Sequence, residues 1–322
     1  MDLDKLYKKC QQCPRHCGVD RTRPQVGTGF CRESADLRIA FAGLHFGEEP
    51  LITVFGGSGT IFFTGCTLRC AFCQNYQISQ DGLGRLVDKA EFVDICLKLQ
   101  AAGAENINLV TGSHHIPLIA EFLRAARDQG VTIPFCWNSS AYESVEMLEL
   151  LKGLVTIWLP DLKTLDSELS RSLFAAPDYP ASATAAIRWM IENNPLDLVE
   201  VSKNGESREK MISGVIIRHL FMPGKFEETA DVLAWLKENA DGRAIISLMN
   251  QYTPIPAKKG KIIQIEDRLV TPEEDADIQD LIEAYDFEYL FYQELSDDTS
   301  WLPDFTRPQP FSNKLATPVW HC

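Results

Sequence analysis

The chain has 322 residues, 45% of them hydrophobic and 24% charged, a composition typical of a globular protein with a sizeable core in one or two domains. The net charge of −14 argues against a duplex nucleic-acid binder, which needs a cationic surface to neutralise phosphates. No apolar run approaches the roughly 20 residues that span a bilayer, and the charged N-terminus lacks the apolar stretch of a signal peptide. We therefore expect a cytoplasmic protein with neither nucleic acid nor membrane as a partner.

The first element along the chain is a cysteine-rich segment, residues 1–38, which is too short to fold on a core of its own. Its four cysteines are Cys10, Cys13, Cys17 and Cys31. In a reducing compartment, clustered cysteines more often bind metal than form disulfides, so we predict a small metal-binding module. Four thiolates can hold zinc or an auxiliary [4Fe–4S] cluster, and His16 could replace one of them. The spacing does not decide between the two, although the knuckle-like glycine turns favour zinc.

Strands and helices then alternate from about residue 59 to residue 285. Apolar strands are predicted at 59–65, 106–111, 132–137, 154–159, 212–221 and 244–249. Helices are predicted at 88–101, 117–129, 143–152, 179–194 and 226–239. Apolar strands alternating with helices indicate an α/β fold with a parallel sheet covered by helices. Six units predict a partial (β/α)6 TIM-like barrel rather than the closed barrel of eight.

We assign the barrel to residues 39–252 and a C-terminal extension that packs on it to residues 253–322. Within that extension, 271–300 contains eleven acidic residues and neither Lys nor Arg, which indicates a solvated or docking surface. The tail at 301–311 combines prolines with aromatic residues, and we expect it to pack across the barrel.

The second cysteine group lies in the loop after the first predicted strand, GCTLRCAFCQN (65–75), and consists of Cys66, Cys70 and Cys73. Three thiolates at C-x3-C-x2-C spacing can hold one [4Fe–4S] cluster from a single loop. They leave one iron open, and S-adenosylmethionine (SAM) can chelate that iron through its amino and carboxylate groups. Phe72 would shield the cluster from water. A structural zinc site is the alternative, but it needs four ligands, and no further Cys or His lies nearby in sequence.

Polar residues follow the other predicted strands at their carboxyl ends, where α/β barrels carry their chemistry. Each one alone is more often a cap or a satisfied core group. Because five successive strands end this way, we predict that the polar groups line a pocket opposite the cluster loop. They are Thr111, Ser113, Asn138, Asp161, Lys163, Arg218, Gln251 and Tyr252.

The remaining cysteines and histidines have simpler interpretations. Cys96 and Cys136 lie on apolar faces and are predicted to be core residues. His219 lies within an apolar strand and is predicted to be a core histidine with satisfied hydrogen bonds. His114 and His115 follow a strand end, where capping or solvation is favoured over contact with a substrate.

CTLRCAFCQN (66–75) resembles the radical SAM signature in the spacing of the activating enzymes. Nearly the whole chain is similar to an uncharacterised iron–sulfur group related to the pyruvate formate-lyase activating enzymes. The similar segments are CPRHCGVDR (13–21), GLHFGEEP (43–50), GSGTIFF (57–63), CQNYQISQ (73–80), NINLVT (106–111), LPDLK (159–163), IIRHLFMPG (216–224) and SLMNQY (247–252).

This resemblance implies site roles beyond the three cluster cysteines. Asp161 and Lys163 would lie near the SAM carboxylate or an associated cation, Arg218 would bind the carboxylate side, and Asn138 would line the ribose. Two departures stand out. The turn after the second strand reads VTGSH (110–114) where those enzymes carry a Gly-Gly-Glu-like turn, so its carbonyls or hydroxyls, including those of Thr111 and Ser113, must receive the SAM amino group. Tyr252 stands where those enzymes place a His.

The resemblance also implies an enzyme that cleaves SAM reductively to methionine and a 5′-deoxyadenosyl radical for hydrogen abstraction. The implied substrate is the glycine of a glycyl-radical enzyme, and the implied electron donor is a protein such as flavodoxin or ferredoxin. One alternative is radical modification of a peptide or small molecule. Another is a non-catalytic iron–sulfur or zinc scaffold, whose cluster would be closed by a fourth ligand.

Overall fold

The computed structural model describes residues 2–23, 29–255, 264–299 and 301–322. The helices are Leu3–Lys8 (α1), Pro50–Thr53 (α2), Tyr76–Ser79 (α3), Lys89–Ala101 (α4), Ile116–Asp128 (α5), Val145–Leu148 (α6), Ser167–Phe174 (α7), Tyr179–Asn193 (α8), Phe226–Asn239 (α9) and Pro272–Tyr285 (α10). The strands are Arg38–His45 (β1), Ser58–Phe63 (β2), Arg85–Leu86 (β3), Ile107–Val110 (β4), Phe135–Ser139 (β5), Ile157–Pro160 (β6), Asp197–Lys203 (β7), Glu206–Leu220 (β8), Ile245–Met249 (β9), Leu290–Gln293 (β10) and Ala316–His321 (β11). None of the helices in this part of the chain has the length and apolar character needed to cross a membrane.

One sheet runs through the molecule in the order β10-β9-β8-β6-β5-β4-β2-β1-β11. Its centre is six parallel strands, from β2 to β9, and β10 adds a seventh beside β9. On the other side, β1 lies antiparallel to β2, and β11 lies antiparallel to β1. The described strands do not close on themselves, so the predicted α/β fold with a partial TIM-like barrel is confirmed.

Most predicted elements are present, with ends shifted by a few residues. α9 has the predicted bounds, and α4 is capped by Asp88, whose side chain accepts the backbone N–H of Glu91 at 2.8 Å. The helix predicted at 143–152 is wrong beyond Leu148. The backbone hydrogen bonds at 150–152 join each residue to the third one before it, and Gly153 then adopts a φ of +72°.

A hairpin formed by β7 and the first half of β8 was not predicted. Asn204 and Gly205 connect the strands with φ values of +54° and +84°, the left-handed pair that a type I′ turn requires. The Asn-Gly dipeptide is the sequence signal that could have found it. Because β7 and the start of β8 are largely exposed, they lack the apolar character by which the barrel strands were predicted.

The acidic stretch 271–300 also contains regular structure. Thr271 and Glu274 form a capping box at the start of α10, and β10 follows it into the sheet. Along α10 the helix buries Ile278, and its acidic residues are largely exposed, as the composition indicated.

Candidate functional site

The loop with Cys66, Cys70 and Cys73 leaves the carboxyl end of β2, a fully buried strand. Gly65 joins the two at a φ of +84°, a conformation that favours glycine. A Cβ at this position would lie 3.0 Å from the carbonyl oxygen of Cys31 and 3.1 Å from Nε2 of His114. A glycine therefore allows the loop to pack directly against the N-terminal segment, which we define as residues 2–23 and 29–37.

The three thiols of this loop lie in a largely dry environment with donors directed at sulfur. Sγ of Cys66 accepts the backbone N–H groups of Leu68 and Arg69, each at 3.4 Å. Sγ of Cys73 lies 3.2 Å from Oγ of Ser79. Burial raises the pKa of the Cys73 thiol to about 11 and also raises that of Cys70. Such thiols stay protonated at neutral pH unless a metal replaces the proton, and hydrogen bonds to sulfur are typical of iron–sulfur sites. The residues present thus fit a cluster.

Aromatic rings cover the loop. Phe72 packs against Phe174 with ring centroids 6.0 Å apart and against Tyr252 at 6.3 Å. Tyr252 is buried. Its contact with Phe72 means that this predicted pocket residue lies beside the cysteine loop. The contacts agree with a role for Phe72 in excluding water.

Four of the predicted pocket residues form one hydrogen-bonded group at the carboxyl ends of β5, β6 and β8. We call Asn138, Asp161, Lys163 and Arg218 the strand-end group. Arg218 donates from Nε to Oδ1 of Asp161 at 2.9 Å and from a terminal nitrogen to Oδ1 of Asn138 at 2.6 Å. Lys163 donates from Nζ to Oδ2 of Asp161 at 2.8 Å. The structure thus brings together side chains that are up to 80 positions apart in sequence.

Mutual attraction keeps Asp161, Lys163 and Arg218 charged although only 13–21% of each side chain is exposed. Burial alone would raise the pKa of Asp161, but Arg218 and Lys163 hold it below its ordinary value. Burial would likewise lower the pKa of Lys163, but the charge of Asp161 raises it above its ordinary value, and Cys70 adds to this effect when it is a thiolate. Lys163 therefore presents a fixed positive charge close to the cysteine loop.

Thr111 and Ser113 follow β4 and are placed differently. Thr111 adopts a φ of +64° and donates its backbone N–H to the carbonyl oxygen of Asn138 at 2.9 Å, so its backbone borders the strand-end group. The Ser113 hydroxyl instead donates to Glu143, a buried carboxyl group that also accepts from the Trp137 indole at 3.4 Å. Ser113 is therefore paired away from the strand-end group.

Two carboxylates that the sequence analysis did not assign to the site also reach this region. Glu48 accepts from Arg218 at 3.4 Å and from Asn138 at 3.3 Å. Glu49 accepts from Ser247 on β9 at 2.8 Å. Both follow β1, which was not predicted as a strand. Their only sequence signal was the pair of adjacent acids in GLHFGEEP (43–50).

The N-terminal segment packs against the cysteine loop and buries two histidines. His115 Nδ1 lies 3.0 Å from the hydroxyl of Tyr7, and His114 Nε2 lies 2.7 Å from the carbonyl oxygen of Thr64. The expected solvation of His114 and His115 is wrong, because the N-terminal segment covers them. His115 does stand at the N-cap position of α5, although its side chain makes no capping hydrogen bond. His219, in contrast, has the predicted character: it is buried and bonded to Leu162 at 2.7 Å and Thr229 at 2.9 Å.

The cysteines of the N-terminal segment line one small cavity, which Thr67 of the cysteine loop also borders. Among the Cys, His, Asp and Glu side chains of the described residues, no three converge closely enough to hold a single ion. A cubane does not require that convergence, since each of its thiolates binds a different iron. Cys96 and Cys136 are fully buried in the core, as predicted.

Comparisons with known proteins agree with this arrangement. The sequence model of the Radical SAM superfamily matches residues 60–236, which include the cysteine loop and the strand-end group. An uncharacterised protein of Methanocaldococcus jannaschii is 30% identical over 294 residues, covering 89% of this chain and 78% of that protein.

The fold is shared with a solved structure of low sequence identity. The structure of SuiB of Streptococcus suis bound to the precursor peptide SuiA has a TM-score of 0.51 and 14% identity, over 72% of this chain. The match covers 47% of the SuiB chain, about half its length. A domain of a pyruvate-formate lyase-activating enzyme from Bacteroides vulgatus has a TM-score of 0.38 and 13% identity over 56% of this chain and 92% of that one.

The family that these comparisons identify uses a [4Fe–4S] cluster and SAM, and the buried thiols and sulfur-directed donors of the cysteine loop fit such a cluster. The superfamily match covers more than half of the chain and the relative covers most of it. This protein belongs to the radical SAM superfamily.

Proposed function

We propose that Cys66, Cys70 and Cys73 each bind one iron of the cluster and leave the fourth iron to SAM. The observation that carries this proposal is the loop itself, with three thiols at the mouth of the parallel sheet and backbone donors aimed at Sγ of Cys66 at 3.4 Å. The cluster and SAM, when bound, supply reductive cleavage of SAM and a radical that abstracts hydrogen. The chain supplies their binding, their orientation and a water-poor site.

Within the strand-end group we propose that Lys163 binds the SAM carboxylate and that Arg218 positions its neighbours. All three nitrogens of the Arg218 guanidinium already donate, to Asp161, Asn138 and Glu48. The Lys163 ammonium has three donors, and Asp161 receives one of them. Asn138, held by Arg218, is the proposed ribose contact, and the turn at Thr111 is the proposed acceptor of the SAM amino group.

The test of the reaction is formation of 5′-deoxyadenosine. Protein purified and reconstituted without oxygen is incubated with dithionite and SAM, and the product is quantified by chromatography. Cys70→Ser should abolish the product, because it removes one cluster ligand. Cys322→Ser is the matched control, since Cys322 is exposed and lies in the C-terminal tail. Turnover by the Cys70→Ser variant at the wild-type rate would refute the ligand assignment.

For the substrate we propose a glycine on a protein partner of the glycyl-radical class, with a flavodoxin or ferredoxin as electron donor. Support comes from the open sheet: β10 and β11 are its edges, and a barrel that stays open can admit a loop of another chain. The test is electron paramagnetic resonance (EPR) of candidate glycyl-radical enzymes incubated with the reduced protein and SAM. A glycyl signal that requires Cys70 would support the proposal. Its absence from every candidate would favour modification of a peptide or small molecule.

A further inference from the structure

The four cysteines of the N-terminal segment surround a space that the proposed SAM site does not use. Cys10, Cys13, Cys17 and Cys31 all line one cavity, and no three of these described residues converge closely enough to hold a single ion. Three of the four thiols are buried, and Cys17 is exposed. We propose that this cavity holds a second [4Fe–4S] cluster, bound by four thiolates and therefore closed to SAM.

The spread of the four thiols favours a cubane over a zinc ion. Zinc draws four sulfurs to about 2.3 Å from a single point, a convergence that these thiols do not show. In a cubane each thiolate binds its own iron, so the sulfurs stand farther apart. Gly29 borders this space: a Cβ there would lie 3.3 Å from Cγ2 of Val19 and 4.0 Å from Sγ of both Cys17 and Cys31. A larger side chain at position 29 would fill the gap between these two thiols.

A buried guanidinium supplies the positive charge that such a cluster needs. Arg21 is 2% exposed, and one of its terminal nitrogens lies 3.6 Å from Sγ of Cys10. Its other acceptors are neutral, among them the carbonyl oxygens of Ser34 at 2.8 Å and His114 at 2.6 Å. The buried Glu33 carboxylate attracts Arg21 but is paired with Arg38 at 3.3 Å. A buried charge without an ion-pair partner of its own is costly, and a cluster with four thiolates is an anion.

Three lining residues contain buried polar atoms that are unpaired within the described part of the chain. They are the side-chain amide of Gln12, Oγ1 of Thr67 and Nδ1 of His114. The Thr67 hydroxyl is a hydrogen-bond donor, and burying a donor without an acceptor costs about 1–3 kcal/mol. Nδ1 of His114 is not a donor, because the neutral ring already donates from Nε2 to the carbonyl oxygen of Thr64 at 2.7 Å. Cluster sulfides and thiolates accept hydrogen bonds, so a cluster in the cavity would provide the acceptor that Thr67 lacks.

The second site adjoins the first but has its own ligands. Thr67, which borders the cavity, follows Cys66 directly in the chain, and Arg15 of the N-terminal segment donates to the Thr67 carbonyl oxygen at 2.9 Å. Occupancy of the second site can therefore be measured in a chain that lacks the first.

The experiment uses full-length protein with Cys66, Cys70 and Cys73 all replaced by alanine. It is purified without oxygen, reconstituted with iron, sulfide and zinc together, and analysed for all three. We expect about four irons and four sulfides per chain and no stoichiometric zinc, against about eight irons in the wild type. Adding Cys10→Ser and Cys13→Ser in this background should remove the iron, and adding Cys322→Ser should leave it in place.

A second variant keeps every N-terminal thiol. In the same background, Gly29→Val should reduce bound iron at least twofold while the circular dichroism spectrum stays unchanged. In the wild type, two reduced clusters this close should couple magnetically, so the EPR spectrum should differ from the sum of the single-site spectra. One zinc per chain in the triple-alanine variant, or any other metal content in a folded chain, would overturn the proposal. Because SAM cleavage is not the readout, failure here is distinct from failure of the proposed function.

Discussion

Lys163 is the residue of the strand-end group on which SAM affinity should depend most directly. Lys163→Met keeps most of the apolar stem and removes the ammonium, so we expect a 10- to 100-fold weaker Kd for SAM, since a hydrogen bond to a charged group contributes about 1.5–3 kcal/mol. Equilibrium dialysis of the reconstituted protein measures this change. The matched control is Lys89→Met, because Lys89 is exposed and contacts Glu121 at 2.8 Å. An unchanged Kd for the Lys163 variant would show that another residue binds the SAM carboxylate.

Gly65 has a left-handed backbone conformation and also close neighbours, either of which can require glycine. Gly103 has the left-handed conformation without the neighbours, so it separates the two effects. Gly103 has a φ of +94° and no atom within 4 Å of a Cβ built on it, whereas the Cβ of a residue at 65 would contact Glu33 and Cys31. Gly103→Ala should cost about 1 kcal/mol for the left-handed conformation alone. Gly65→Ala should destabilise the protein more and release iron from the cysteine loop. Equal losses in the unfolding midpoint, with iron retained in both variants, would contradict a close approach at Gly65.

Among the elements, the contact between the N-terminal segment and the cysteine loop depends strongly on Arg15. Its guanidinium donates to the carbonyl oxygens of Thr67 at 2.9 Å, Phe174 at 2.6 Å and Ala175. Arg15→Gln leaves acceptors unpaired on both the loop and the end of α7, so we expect faster loss of cluster absorbance in air, by several-fold. Arg23→Gln is the control, because the Arg23 side chain is 76% exposed and pairs with Asp20. Identical bleaching rates for the two variants would show that Arg15 does not hold the loop.

Elements with a periodic apolar pattern were predictable from the sequence, and elements defined by long-range pairing were not. α9 carries apolar residues at helical spacing, and the six parallel strands are short apolar runs, so both patterns can be recognised locally. β1 is antiparallel and was missed, and with it the position of Glu48, whose carboxylate meets Asn138 90 residues away. The polar strand-end residues were predicted as a set, but their pairing was not, because hydrogen-bond partners follow from the register between strands.

At the scale of the whole molecule, both ends of the chain pack around the cysteine loop. The N-terminal segment contacts the loop through Arg15, which donates to Thr67, and through its close packing against Gly65. From the C-terminal side, Asp304 accepts from Gln77 of α3 at 3.1 Å, and the backbone N–H of Phe305 donates to Gln77 at 2.7 Å. α3 begins three residues after Cys73. The predicted packing of the tail across the barrel thus takes the form of a contact with the helix after the loop, and both contacts limit the access of water to this region.

Buried neutral histidines make the stability of the fold sensitive to acid. His219 connects β8 to α9 and to the end of β6. Burial and the Lys163 ammonium lower its pKa to about 4, although the hydrogen bond to Leu162 raises it. Burial likewise lowers the pKa of His114 to about 3. A depressed pKa means that the unfolded chain takes up a proton near pH 6.5 while the folded chain does not. The stability that each histidine contributes is therefore complete above that pH and is lost as the pH falls.

Below pH 6.5 each such histidine should reduce the free energy of unfolding by about 1.4 kcal/mol per pH unit, until its folded-state pKa is reached. His219→Gln preserves an amide that can donate to Leu162 and accept from Thr229, and it does not titrate. Between pH 6 and pH 4.5, urea unfolding without oxygen should therefore show a pH slope for this variant that is smaller than that of the wild type by about that amount. His321→Gln, at an exposed position, should keep the wild-type slope. If His219→Gln and the wild type had equal pH slopes, His219 would take up its proton in the folded protein. Its hydrogen bonds to Leu162 and Thr229 would then not keep the imidazole neutral.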